Sequence, residues 1–99
     1  MRTIHSNSGF ETTLNRFKNY VPQSDIIDIN ELRKSKNLKI KKSKYYAYYG
    51  EIVDNVRQGK GVMLSGENQV YEGEWRFNLK HGRGFEVFES GNIYEGEYV

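Results

Sequence analysis

Tyr71-Glu72-Gly73-Glu74-Trp75, followed by Lys80-His81-Gly82-Arg83-Gly84, is the stretch whose reading decides the fold. Tyr71, Gly73 and Trp75 alternate with Glu72, Glu74 and Arg76, the two-residue period of a strand with an aromatic face and a charged face. Asn78-Leu79-Lys80-His81-Gly82 reads as a turn, where Asn and Gly tolerate positive φ. Gly84-Phe85-Glu86-Val87-Phe88 alternates again, and Glu89-Ser90-Gly91-Asn92 turns the chain into Tyr94. The stretch is therefore a β-hairpin. Gly73, between Tyr71 and Trp75, lets large rings lie over bare backbone.

The same pattern recurs on both sides. Tyr48-Tyr49-Gly50-Glu51 and Tyr94-Glu95-Gly96-Glu97 each stand 23 residues from Tyr71-Glu72-Gly73-Glu74. At that offset Asn55 meets Asn78, Gly59 meets Gly82, Lys60 meets Arg83, Gly61 meets Gly84 and Val70 meets Ile93. Ile52, Trp75 and Tyr98 share one large apolar slot, and Asn68 takes the place of Gly91. A fixed period of this length marks a repeat architecture. The array begins at Tyr46 to Tyr48 and includes only six residues of a third unit, as expected if this chain is a piece of a longer repeat protein.

These residues resemble the MORN repeat: Tyr-Glu-Gly-Glu-Trp, a polar turn, Gly-Lys-Gly, then an alternating strand and an acidic glycine turn. Residues 71–93 are a near-complete copy, residues 48–70 a degenerate one without the tryptophan, and residues 94–99 a first strand. The resemblance implies an α+β, mainly β fold: a twisted antiparallel meander of about five strands, with a helical or extended N-terminal arm. It also implies a non-catalytic scaffold. Such modules serve in ciliary radial spokes and other cytoskeletal assemblies, as membrane tethers, and as appendages of enzymes.

So short an array cannot shield itself. Tyr48, Ile52, Tyr71, Trp75 and Phe88 fall on one face of the expected sheet, and Val62, Leu64, Phe85 and Val87 on the other. A second layer is needed. Within the arm, residues 1–32, Ser8-Gly9-Phe10-Glu11 reads as a capping box. Phe10, Leu14, Phe17 and Val21 form a helical stripe stopped by Pro22, and a second short helix starts at Asp28 and carries Ile29 and Leu32. Neither is long enough to stand alone in water. They pack on the sheet or on a partner, and without a partner the arm is expected to be mobile.

Charge divides the chain. Residues 33–44 hold seven cations and no acid, whereas residues 45–99 hold five cations against nine carboxylates. This basic segment is a linker or a lysine-guarded edge strand, Leu38, Ile40 and Lys42 alternating with Lys39, Lys41 and Ser43. It could also meet an acidic protein surface, such as a microtubule tail, or an anionic membrane. Tyr45, Tyr46, Tyr48 and Tyr49 could stack bases, but as sheet residues they need no nucleic acid. The expected partner contacts are Phe10, Leu14 and Phe17 on the arm, Lys39, Lys41, Lys42 and Lys44 on the basic segment, and Tyr71, Trp75, Tyr94 and Tyr98 on the repeats.

Chemistry is poorly provided for. The chain has no cysteine and two histidines, without the His/Asp/Glu spacing of a metal site, so neither metal nor cofactor is expected. Glu51, Glu74 and Glu97 recur at one repeat slot, which makes them structural rather than a catalytic pair. Gly59-Lys60-Gly61 and Gly82-Arg83-Gly84 precede no helix that would complete a phosphate site. There is no apolar run of signal-peptide type, so cytoplasm is the expected setting, at the cytoskeleton or cilium by family analogy. Arg2, His5, Ser6 and Ser8 before the first acid weakly suggest a mitochondrial presequence, and a membrane-peripheral site is the other alternative.

Overall fold

The computed structural model describes residues 19–99. Among the described residues one short helix, α1 (Ile29–Leu32), precedes six strands: β1 (Leu38–Lys42), β2 (Tyr46–Val53), β3 (Val56–Ser65), β4 (Gln69–Arg76), β5 (Leu79–Val87) and β6 (Ile93–Tyr98). They form one antiparallel sheet in the order of the sequence. The mainly β meander is as the repeats imply, with one strand more than expected because the basic segment itself supplies β1.

The hairpin turns are tighter than the sequence suggests. Asp54-Asn55 and Phe77-Asn78 carry positive φ at both central residues, the two-residue turn whose twist matches that of the flanking strands. The turn is thus Phe77-Asn78 and not Asn78 to Gly82, and Leu79 to His81 already belong to β5. The glycine instead makes an irregularity inside the strand: Gly73 faces Gly84, but Glu74 faces His81. The first unit repeats this, with Gly59 and Gly82 both at positive φ. Gly82 and Arg83 are both left out of the ladder to β4, and at Gly82 the chain takes a positive φ that glycine adopts without steric cost.

Five glycines, Gly50, Gly61, Gly73, Gly84 and Gly96, face one another across β2 to β6. The track exists to receive tyrosine rings. A β-carbon on Gly61 would lie 2.5 Å from Cζ of Tyr48, and one on Gly84 would lie 2.6 Å from the Tyr71 hydroxyl oxygen. Each ring is then fixed by its hydroxyl, which donates to the carbonyl three residues on: Tyr48 to Glu51 at 3.0 Å, Tyr71 to Glu74 at 2.8 Å and Tyr94 to Glu97 at 2.9 Å.

The sheet has two apolar faces, and each holds its own cluster. On the aromatic face Tyr48, Ile52, Tyr71 and Trp75 are buried with Tyr46, Met63 and Tyr98 against them. On the opposite face Val62, Leu64 and Val70 are buried beneath Ile27 and Leu32, with Tyr20, Ile29, Leu38, Tyr49 and Val87 alongside. The division of the repeat residues follows the two-residue period, except that Phe88 is 39% exposed and lies outside the aromatic cluster, since it follows the end of β5.

Residues 20–37 therefore supply the missing layer, a strap across β2, β3 and β4. Asp28 caps α1 by accepting from the amides of Asn30 at 2.9 Å and Glu31 at 3.2 Å, as the sequence predicts. Ile27 and Leu32 face the sheet, and the strap is tied down at its end by Ser35 donating to Glu51 at 2.7 Å and by the Ile52 amide donating to the Asn37 carbonyl at 3.0 Å. This corrects the expected mobility of residues 19–32, because apolar burial and hydrogen bonding to the sheet hold them. Val21 is exposed and non-helical, while the rest of its stripe, Phe10, Leu14 and Phe17, lies outside the described residues.

Candidate partner-binding surface

The strap is anchored at one point, and the point is unexpected. Glu72 is fully buried although β4 was read with Glu72 on a charged face. Its partners across the sheet are Val62 and Phe85, so it lies among apolar residues. A buried carboxylate is costly unless its lone pairs are satisfied. Here four donors meet it: the Tyr20 hydroxyl, the Gln23 amide at 2.7 Å, the Ser24 amide at 2.9 Å and the Ser24 hydroxyl at 2.5 Å. All four come from three residues of the strap, Tyr20, Gln23 and Ser24. Hydrogen bonds to a charged acceptor are among the stronger ones, about 1.5–3 kcal/mol each. The carboxylate thus fixes where the strap crosses, and with it which face of the sheet is closed.

The aromatic face is closed by its own rings instead. Its rings pack edge to face in a continuous row: Tyr48 with Trp75 at 5.6 Å between centroids, Trp75 with Tyr71 at 4.9 Å, Tyr71 with Tyr98 at 5.3 Å and Tyr98 with Tyr94 at 5.3 Å. The Trp75 indole donates to the Gly61 carbonyl at 3.2 Å. Burial pushes the Tyr71 hydroxyl up to about 12 and raises those of Tyr48 and Tyr98 as well, so these three stay uncharged through neutral pH.

Cations close the row from above. The Arg57 guanidinium lies 4.8 Å from the centroid of Trp75, 5.9 Å from Tyr48 and 6.0 Å from Tyr46. Lys80 stands 5.3 Å over Tyr71 and bridges to Glu86 at 2.7 Å, and Glu86 also accepts from the Tyr98 hydroxyl at 2.7 Å. Arg57 is held by the next hairpin: its backbone amide donates to the Asn78 side chain at 2.8 Å and its guanidinium to the Asn78 carbonyl at 3.1 Å. Cation and ring attract each other through the ring quadrupole.

The expected contact residues separate here. Lys39 faces Gly50 and Lys41 faces Tyr48, which sets both lysines on the aromatic face at the β1 edge. Lys42 faces Ala47 on the strap side, and Lys44 lies in the turn beyond, 5.8 Å over the Tyr45 ring. Tyr71 and Trp75 are interior and build the surface, whereas Tyr94 and Tyr98 are partly open at the far edge. Glu72 and Arg57 escaped the sequence reading. A signal for Glu72 existed: its slot in the preceding unit is Tyr49, and its neighbours in the pattern are Val62 and Phe85. Among the described residues no group of three or more His, Asp or Glu side chains is placed to hold a metal ion. No described helix is long and apolar enough to cross a membrane.

The repeating unit of this surface is a tyrosine over paired glycines, closed by a glutamate. The family model for the MORN repeat matches the chain at residues 48–68 and again at 71–93. The chain carries two MORN repeats. No curated protein matches it. MORN repeats are modules for binding proteins or membranes, of a non-catalytic type. The two matched units and the strand β6 share one sheet with a strand from outside the repeats, and a strap from outside the repeats packs across it.

Proposed function

We propose that this MORN-repeat protein is a non-catalytic scaffold that joins protein subunits of a larger assembly through the basic edge of its aromatic face. The observation that carries the reading is the asymmetry of the sheet. One face is closed by the protein's own strap, fixed on Glu72, and the other, closed by its own buried rings, carries the exposed Lys39 and Lys41 at its edge. Closely spaced cations at an apolar rim attract an acidic partner surface and steer its approach. A cytoskeletal or ciliary assembly, whose microtubule tails are acidic, is the first setting to test. An anionic membrane is the second, favoured by the seven cations of residues 33–44, and attachment to an enzyme complex the third.

Cosedimentation with microtubules, set against flotation with anionic vesicles, separates the first two. The paired change of Lys39 and Lys41 to Ser should weaken binding more than the paired change of Lys42 and Lys44, because only the first pair lies on the aromatic face. Equal losses from the two pairs would favour a diffuse charge effect, and vesicle flotation without microtubule binding would replace the protein partner by a membrane.

A further inference from the structure

The edge that carries Lys39 and Lys41 offers backbone as well as charge. Among the described residues β1 pairs with β2 alone, and no strand lies on its outer side. The chain does not close that side as it arrives: the Leu38 amide turns back to the Ser35 carbonyl at 3.2 Å, at the end of the strap that crosses the sheet face. Alternate residues of a strand point their backbone groups to opposite edges. The Asn37 carbonyl accepts from the Ile52 amide at 3.0 Å, and the Ser43 amide donates to the Tyr46 carbonyl at 2.8 Å. Lys39 and Lys41, in step with these two, turn their backbone groups to β2. Ile40 turns its amide and its carbonyl outward.

The side chains keep the same period. Lys39 and Lys41 stand exposed on the aromatic face, and no ion pair among the described residues involves either. Between them Ile40 points to the strap side, opposite Tyr49, which packs alongside the cluster there. Ile40 itself is 54% exposed. Lysines alone are enough to blunt an edge. A bare isoleucine at its centre works against that purpose, because it leaves apolar surface and outward backbone groups on one residue.

We infer that the partner of this edge is an extended acidic segment, added to β1 as a further antiparallel strand with an acid–apolar–acid sequence at its centre. Its apolar residue lies opposite Ile40, exchanges both backbone hydrogen bonds with it and extends the strap-side cluster. Its two acids lie opposite Lys39 and Lys41. Unlike charges directly opposite each other in a sheet attract, and like charges repel. A second copy of β1 is refused on that ground, since pairing about Ile40 would set Lys39 against Lys41 twice over. Backbone pairing supplies affinity and the alternation supplies selection. The inference rests on the reading of Lys39 and Lys41 as the partner contact, and adds the form in which the partner is held.

The test uses the full chain and a fluorescent synthetic peptide with Glu-Val-Glu between threonines. Saturable binding by anisotropy, with slowed exchange of the Ile40 amide, is the expected result. N-methylation of the peptide's valine leaves its charge intact and removes the donor to Ile40, and should weaken binding by about tenfold or more. Ile40→Pro in the protein should do the same with the sheet intact, because proline is tolerated on an edge strand where the lost N–H faced solvent. Equal binding of the two peptides, lost in both when Lys39 and Lys41 are changed to Ser, would overturn strand addition and leave the acidic partner standing. Equal binding that ignores the lysine change would overturn both. No binding of either peptide at about millimolar concentration, with microtubule cosedimentation retained, would overturn strand addition alone.

Discussion

The two faces of the sheet are covered by different means. On one, Ile27 and Leu32 of the strap lie over Val62, Leu64 and Val70, and the contact is fixed by four hydrogen bonds to one buried carboxylate. On the other, Tyr48, Tyr71 and Trp75 cover bare glycine backbone and one another, beneath Arg57 and Lys80. The first solution comes from outside the repeat and fixes a single unit. The second is written into the repeat and recurs with it. A face closed by recurring residues extends wherever units are added, whereas a face closed by a strap is covered only as far as the strap reaches. Ile93 shows the limit: it lies on the strap side, beyond the covered strands, and is exposed.

This contrast can be broken at either face. Trp75→Ala removes the ring that joins Tyr48 to Tyr71 and should cost about 3–5 kcal/mol of global stability in a denaturant titration. A loss below about 1 kcal/mol would mean the row is held by the glycine track and not by the tryptophan. Glu72→Ala should act locally. It strands the donors of Tyr20, Gln23 and Ser24, each worth about 1–3 kcal/mol if left buried and unpaired, so the strap lifts instead. Faster amide exchange over residues 20–37, with β4 and β5 unchanged, is the expected signature.

Alkali sharpens the difference further. The Tyr71 hydroxyl is raised to about 12 in the fold by burial, against about 10 in an unfolded chain. The unfolded state therefore loses its proton first. The contribution to stability is full below about pH 10 and is lost as pH rises towards 12. Tyrosinate absorbance and unfolding should rise together in that window; ionisation without unfolding would contradict the buried row. The smallest effect is expected from Asp28→Ala, which removes the cap of α1 and should cost about 1 kcal/mol, confined to the strap.

The repeat face was legible because its cause is periodic. Tyr, Gly, Glu and the large apolar slot return every 23 residues, and the glycines have no other reason to keep step. The strap was legible only in part. Asp28 announced its helix, and Ile29 and Leu32 their apolar side, but nothing local says which sheet face a four-residue helix will cover. Glu72 was misread because alternation assigns a carboxylate to solvent by default. Its burial depends on donors some fifty residues away in sequence, which no period reveals. The turn at Phe77-Asn78 was displaced for a related reason: Gly82 looks like a turn residue, and its positive φ belongs to an irregularity within β5.

Hydrogen exchange at two amides tests the central claim most directly. Gln23 and Ser24 both donate their backbone N–H to the Glu72 carboxylate, and neither belongs to a helix or strand. If the strap is the fixed cover of that face, both exchange slowly in the intact chain, as slowly as sheet amides. Exchange of both at the rate of an unstructured peptide would mean that the face stands open, and that the asymmetry assigning the partner to the aromatic side does not exist.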